Sequence, residues 1–230
     1  MRPLAAIIMA AGEGSRLNCD GPKALFRCCG HPMIDASLEA VRAIDPERIL
    51  VVISPGEDGE RIVAHIGDGV QYVTQTEPRG TGDAVFCCYP KLEAFEGDIL
   101  ILPCDKPRLT GSDLQHLLAT HYGTHSDATV LTAFVDDPGG YGRIERGEDG
   151  QIARIVEDAP SDAPCEVNGG IYVIDSSCLW RLPWVARLTD AIGYGIRAGM
   201  LLRNCTVTRG GIIGVNIPED AAKAEHIGNW

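Results

Sequence analysis

The sequence predicts an α/β protein: a doubly wound, mostly parallel sheet with an inserted antiparallel substrate lobe. Two observations carry that class. In the first half, apolar runs such as Leu4–Ala11 and the Ile-Leu-Ile-Leu-Pro-Cys that follows Asp98 alternate with helix-spaced segments, and a strand covered on both faces reads as a continuous apolar run. From Ala128 the texture changes to short strands alternating apolar and polar residues around tight turns, the pattern of an antiparallel sheet with one wet face. The expected division within a single domain of 230 residues falls at about 1–127 and about 128–230.

Each element follows in order. Leu4 to Ala11 opens as a buried strand. Residues 32–44 place Met33, Ile34, Leu38, Val41 and Ile44 at helical spacing, and Arg48–Ser54 is a second buried strand. A helix over 57–66, a short strand over Val70–Gln75 and a helix over Thr81–Phe95 come next, then the strand that ends at Asp105. Thr110-Gly111-Ser112-Asp113 opens a helix reaching about His121. In the second half, Ala128–Val135 and Glu166–Asp175 read as strands, with a hairpin of 142–145 and 152–156 around Gly147–Gly150. Helices at about 176–187 and 189–199 precede two short strands near 204–208 and 211–215. Pro218-Glu219-Asp220 opens a closing helix, proline in its first turn and acidic residues at the positive end of its dipole.

Composition narrows the partners. A net charge of −12 argues against nucleic acid, which needs a basic face. Residues 1–30 nevertheless carry a net +2, from Arg2, Arg16, Lys23 and Arg27 against Glu13 and Asp20, leaving −14 for the rest. That distribution suits a small anionic substrate. No apolar stretch approaches the roughly 20 residues of a membrane span, and no targeting segment precedes the first strand, so a cytoplasmic location is expected. The nine cysteines are odd in number, include the adjacent pairs Cys28-Cys29 and Cys87-Cys88, and form no C-x-x-C; free thiols, with neither disulfides nor a zinc site, are expected.

The chemistry-bearing strings sit where open parallel sheets bind ligands, at the carboxyl ends of strands. Gly12-Glu13-Gly14-Ser15-Arg16, followed by Gly21-Pro22-Lys23, lets backbone pass close to a ligand and adds two fixed positive charges. It is neither a Walker loop, since Pro22 precedes Lys23, nor a dinucleotide fingerprint, since Leu17 stands at the third glycine. Gln75 through Gly82 joins a side-chain amide, able to pair with a base edge, to a glycine-rich helix entry. Asp105 places a carboxylate where a buried strand emerges, a hard oxygen ligand of the kind Mg²⁺ takes beside substrate phosphates. Tyr141-Gly142-Arg143-Ile144, Glu157 and Asn168 offer a close backbone approach, a carboxylate and an amide for sugar hydroxyls or an acylamino group. Each string alone also has a plain structural role as strand-to-helix turn, Thr N-cap, Asx-turn or hairpin glycine.

In order, these strings resemble the N-acetylglucosamine-1-phosphate uridyltransferase domain of the sugar-phosphate nucleotidyltransferases, from Leu4 to the final helix. The resemblance implies a Rossmann-like fold and a Mg²⁺-dependent enzyme that makes a UDP-sugar and pyrophosphate from UTP and a sugar 1-phosphate. It implies Arg16 and Lys23 as the catalytic cations. Ala10, Ala11, Gly12 and Gly14 would bind the nucleotide, with Gln75, Gly80 and Thr81 at the uracil. Gly142, Glu157 and Asn168 would contact the sugar, and Asp105 and Asn216 the metal. The chain departs from the family at Cys104, where glycine is usual, at Lys106, to which alternation along the strand assigns no role, at Gly169, where threonine is usual, and in a shortened stretch before Asn216. It carries no hexapeptide repeats, so the acetyltransferase half of the bifunctional enzymes is not expected. Two alternatives remain: a cytidylyltransferase of the molybdopterin or isoprenoid-precursor type, and a non-catalytic nucleotide-sugar-binding regulatory protein.

Overall fold

The computed structural model describes residues 2–17, 20–157 and 164–226. Strand β1 (Leu4–Met9) leads through two single 3₁₀ turns, Ser15–Leu17 and Lys23–Leu25, to a small hairpin of β2 (Arg27–Cys28) and β3 (His31–Pro32). Helix α1 (Met33–Arg42), β4 (Arg48–Ile53), α2 (Glu57–Ile66), β5 (Gln71–Thr74), α3 (Thr81–Phe86), α4 (Tyr89–Leu92) and β6 (Asp98–Pro103) complete the first half. Then come α5 (Gly111–Thr124), β7 (Ala128–Val135), β8 (Arg143–Arg146), β9 (Ile152–Val156) and β10 (Cys165–Asp175). The chain closes with α6 (Ser176–Leu179), α7 (Leu188–Arg197), β11 (Leu202–Thr206), α8 (Arg209–Ile212) and α9 (Pro218–His226).

Among the described residues, one nine-stranded sheet runs β11-β7-β10-β6-β1-β4-β5, with the β8–β9 hairpin attached to β10. β1 lies parallel between β4 and β6, and β5 extends the sheet parallel to β4. β10 pairs antiparallel with β6 and with β7, so the second half continues the same sheet, and only β8–β9 leans off it. Chain order reverses at β1/β6, and the crevice beyond their carboxyl ends is where such sheets take ligands.

Alternation along each strand divides the core between two faces. Ala6, Ile8 and Leu102 pack with Leu38, Val41 and Leu117 on one side. Ala5, Ile7 and Ile101 pack with Phe86, Leu188 and Ile192 on the other. The Thr110 hydroxyl accepts from the Asp113 amide while Asp113 accepts from the Thr110 amide, the capping box that starts α5. Behind the sheet, Asp98 is fully buried between Arg2 (3.2 Å) and His121 (3.5 Å).

Three sequence expectations change. The helix over 81–95 is two pieces, because the Pro90 ring would collide with the Phe86 carbonyl one turn earlier. The helix over 176–187 is a single turn: Pro183 ends it, and 183–187 dock on the start of α3, where the Gly82 amide donates to the Ala186 carbonyl (2.7 Å). Residues 211–215 form no strand; the Gly214 amide donates to the Tyr141 hydroxyl (3.0 Å) and the Val215 amide to the Asp105 carbonyl (3.0 Å) instead of to a ladder. The β2–β3 hairpin turns at Cys29-Gly30, both at positive φ (57° and 89°); Gly30 suits the turn, but Cys29 stands where Gly, Asn or Asp is usual, so the signal is only half present.

Candidate active site

The loop after β1 bends back on Lys23. Gly14 has φ +62°, and a methyl group there would fall 2.6 Å from Lys23 Cβ, so this glycine is required by both conformation and space. The Lys23 ammonium reaches across the crevice, donating to Asp105 Oδ2 (2.6 Å) and Asn216 Oδ1 (2.8 Å). Asp105 follows β6, and Asn216 is brought beside it by the bond from the Val215 amide to the Asp105 carbonyl; the Asn216 amide itself donates to Asp220 (3.0 Å). Residues 82 and 193 positions apart from Lys23 thus converge on one nitrogen.

Two cavities meet at this point, and Asn216 lines both. The first, of about 310 Å³, is lined by Ala11, Gly12, Lys23, Gln75, Gly80, Thr81, Cys104 and Asp105. Gln75 is buried, and its amide nitrogen donates to the Gly80 carbonyl (3.0 Å) and Asp83 Oδ2 (2.8 Å). The Thr81 hydroxyl accepts from the Leu188 amide (3.0 Å), so it anchors α7 as well as lining the cavity. Ala10 and Gly14 do not line this cavity; Ala10 is buried with its amide held by the Val52 carbonyl (2.8 Å), and Gly14 packs on Lys23.

The second cavity, of about 440 Å³, is lined by Arg16, Lys106, Tyr141, Gly142, Glu157, Asn168 and Gly169. A Cβ at Gly142 would lie 2.8 Å from Glu157 Oε1; the absent side chain is what admits the carboxylate. Asn168 sits at an irregularity in the β10–β7 register, and its Oδ1 accepts from the Gly170 amide (2.8 Å), which fixes which end of the side-chain amide faces that turn. Gly169 packs where a Cβ would meet Ile212 Cγ2 (2.7 Å) and the Leu131 carbonyl (2.8 Å), which explains glycine at a position where the family usually has threonine. Of the expected phosphate-handling cations, Arg16 faces this second cavity and Lys23 the first.

Lys106 belongs to the site, against expectation. It is 6% exposed, donates to the Ile212 carbonyl (3.0 Å), lies 3.8 Å from Asp105 Oδ1 and faces the Tyr141 ring at 5.5 Å. Alternation failed as a guide because β6 ends at Pro103, and beyond a strand end side-chain direction no longer follows a period of two. A lysine directly after a strand-end aspartate was the available signal.

Electrostatics follow from this crowding. Burial pushes the Asp105 carboxyl up, but Lys106 and Lys23 outweigh it and hold the group below the ordinary carboxylate range. Burial, partly offset by Asp105, holds the Lys106 ammonium below the usual lysine value. Burial and the neighbouring Asp105 raise the Cys104 thiol to about 12, so it is a neutral, unreactive wall. Among the described residues no group of three or more His, Cys, Asp or Glu could cage a metal. Two hard oxygens, Asp105 Oδ2 and Asn216 Oδ1, already surround a cation, and Asp105 Oδ1 is buried without a hydrogen-bond partner. That donor set fits Mg²⁺, which takes one or two protein oxygens and completes its shell from water and substrate phosphates.

The nucleotidyl transferase family matches residues 5–190, a span that includes every site residue above except those following β11. Curated relatives named "Bifunctional protein GlmU" are similar to this chain. The protein from Streptococcus pyogenes serotype M12 (strain MGAS2096) is 40% identical over 180 residues, which cover 76% of this chain and 43% of that protein. The one from Corynebacterium efficiens is 40% identical over 184 residues, covering 76% of this chain and 38% of that protein. The chain therefore matches about two fifths of the length of these relatives. Sheet topology, crevice and sequence agree, and the chain belongs to the nucleotidyl transferase family.

Proposed function

We propose that this protein transfers a uridylyl group from UTP to a sugar 1-phosphate, giving a UDP-sugar and pyrophosphate, with N-acetylglucosamine 1-phosphate as the preferred acceptor. The observation that carries it is a pair of cavities that share Asn216, one lined by Gln75, Gly80, Lys23 and Asp105 and the other by Gly142, Glu157 and Asn168, with Lys23 bonded to Asp105 and Asn216. An oxygen of the acceptor phosphate attacks the α-phosphorus of UTP in line, and the bond to the bridging β-phosphate oxygen breaks. Such transfers ask for positioning and charge neutralisation rather than covalent chemistry from the protein. Gln75 and the Gly80 backbone hold the base, and Glu157 and Asn168 the sugar. Lys23 can pass from Asp105 to the triphosphate and the departing pyrophosphate, while Arg16 and Lys106 hold the acceptor phosphate from the other cavity. Asp105 and Asn216 would hold a Mg²⁺ ion, which when bound supplies charge stabilisation to both reacting phosphates. The free thiols among the described cysteines suit the reducing cytosol we assign it to.

The test is pyrophosphate release across four nucleoside triphosphates and a panel of sugar 1-phosphates, with Asp105→Asn alongside. UTP with N-acetylglucosamine 1-phosphate is the expected best pair; preference for CTP favours the cytidylyltransferase reading, and no release at all favours the binder. Equal use of glucose 1-phosphate would remove the acylamino pocket and leave the reaction class. Asp105→Asn keeps the shape, removes the charge and slows turnover about 10²–10³-fold, a loss of about 3–4 kcal/mol of transition-state stabilisation. Near-normal turnover in the folded variant would sink the metal assignment.

A further inference from the structure

We infer that Asp83 is a specificity-determining positioning residue: it locks the orientation of the Gln75 amide so that only a hydrogen-bond acceptor faces the base. The inference rests on the uridylyl reading and deepens it. Gln75 follows β5 and Asp83 lies in the first turn of α3, and both side chains are buried. The Gln75 amide end has two close neighbours, the Gly80 carbonyl oxygen at 3.0 Å and Asp83 Oδ2 at 2.8 Å. A carbonyl oxygen accepts only, and so does a carboxylate. Both protons of the Gln75 NH₂ are therefore committed, and flipping the amide would set its oxygen against two acceptors. What remains for the cavity that Gln75 lines is Oε1, an acceptor.

That single acceptor discriminates among bases. Uracil and thymine carry N3–H, a donor that Oε1 can accept, whereas the N3 of cytosine is an acceptor and would face another acceptor across a buried contact. A freely rotating glutamine amide would serve either base, so the choice is made by what holds it. Asp83 is itself held: its Oδ1 accepts from the Trp184 indole N–H at 3.1 Å, and the Trp184 ring stacks on Phe86 at 5.6 Å. Trp184 is carried on the 183–187 segment, which docks against the start of α3 through the Gly82 amide bond to Ala186, while the next residue, Leu188, donates its amide to the Thr81 hydroxyl. The base reader is thus braced by a segment far from it in sequence, and an exposed tryptophan gains a reason for its place.

The experiment measures kcat/KM for UTP and CTP in the wild type, Asp83→Asn and Trp184→Phe, with folding followed by circular dichroism and thermal unfolding. The carboxamide that Asp83→Asn introduces can pair with Gln75 in either amide orientation, so of the two acceptors that hold the amide only the Gly80 carbonyl remains. Asp83→Asn is expected to lower the UTP-to-CTP ratio about 10–100-fold, the weight of a buried partner gained or lost. Trp184→Phe keeps a ring beside Phe86, removes the N–H, and is expected to lower the ratio about 2–5-fold. If Asp83 only supports the fold, both nucleotides change by one factor and the ratio stays; that overturns the inference and leaves the transfer reaction standing. Should Asp83→Asn not fold, an unchanged ratio in Trp184→Phe overturns it equally. A wild type without preference for UTP overturns the base reading of Gln75 itself, and the inference with it.

Discussion

Lys106 puts an ammonium in a nearly closed place, with the Ile212 carbonyl, the Tyr141 ring and the unpartnered Asp105 Oδ1 around it. Burying a charge is expensive unless it is paired, and this one is only half paired. It faces the cavity that contains Glu157 and Asn168, where an acceptor phosphate would complete its hydrogen bonds. Lys106→Met keeps the aliphatic stem and removes the charge. The expected result is a KM for the sugar 1-phosphate raised about 10–100-fold, the weight of a charge-assisted bond, with a smaller change for UTP. Initial rates with each substrate varied in turn separate the two; equal KM values with a shifted melting temperature would make Lys106 a packing residue only.

At the scale of elements, the contact between the start of α3 and the 183–187 segment carries more than its length suggests. Gly82 has the Val185 carbonyl where a Cβ would stand, and Gly80 (φ +114°) has the Ala186 carbonyl 2.5 Å from the same place. The glycines that the sequence offers to a base are thus also required for one backbone to reach another. Gly82→Ala forces the segment away, at a cost of about 1–3 kcal/mol, the usual range for overpacking. Because Trp184 on the displaced segment holds Asp83, and Thr81 bonds the Leu188 amide just beyond it, the KM for UTP should rise as well. Denaturant unfolding and nucleotide kinetics on the one variant check both; unchanged stability would show that the segment moves freely.

Over the whole molecule, a single sheet joins the two cavities, and β10 is the strand that joins its halves. The far end of that junction is fastened by Arg2, which bonds Asp175 at 2.6 Å and the buried Asp98 at 3.2 Å. Burial pushes the Asp175 carboxyl up, but Ser177 and Arg2 outweigh it and the group stays below the ordinary range. A carboxylate with a depressed folded value stabilises above its unfolded value, about 3.9, and the contribution is lost as pH falls through the lower folded one. Arg2 is half exposed, so screening keeps the pair to about 1 kcal/mol. Arg2→Ala should therefore melt about 2–4 °C lower near pH 7, with the gap to wild type closing below about pH 4. A gap that stayed constant with pH would assign the loss to packing. Among the described residues, Arg2, Asp98 and Asp175 line neither cavity, so activity at pH 7 should remain.

The sequence by itself determined the class of sheet, most strand positions and the order of the chemical groups along the crevice. It could do so because buried strands are continuous apolar runs and because parallel sheets deliver their loops to one edge. Gln75, Asp105 and Glu157 were legible for that reason, each just past a strand, while Asn168 and Asn216 were legible through the order of the motifs. Tertiary structure decided which atoms meet. Whether Lys23 would reach Asp105 and Asn216 depends on a fold that closes gaps of 82 and 193 residues, which no local pattern encodes. Lys106 turned inward because the strand had already ended, and Asp83 became a brace for Gln75 because a distant tryptophan was laid over it. Periodicity speaks for neighbours along the chain; hydrogen-bond direction and burial belong to neighbours in space, and these decide which groups line the site together.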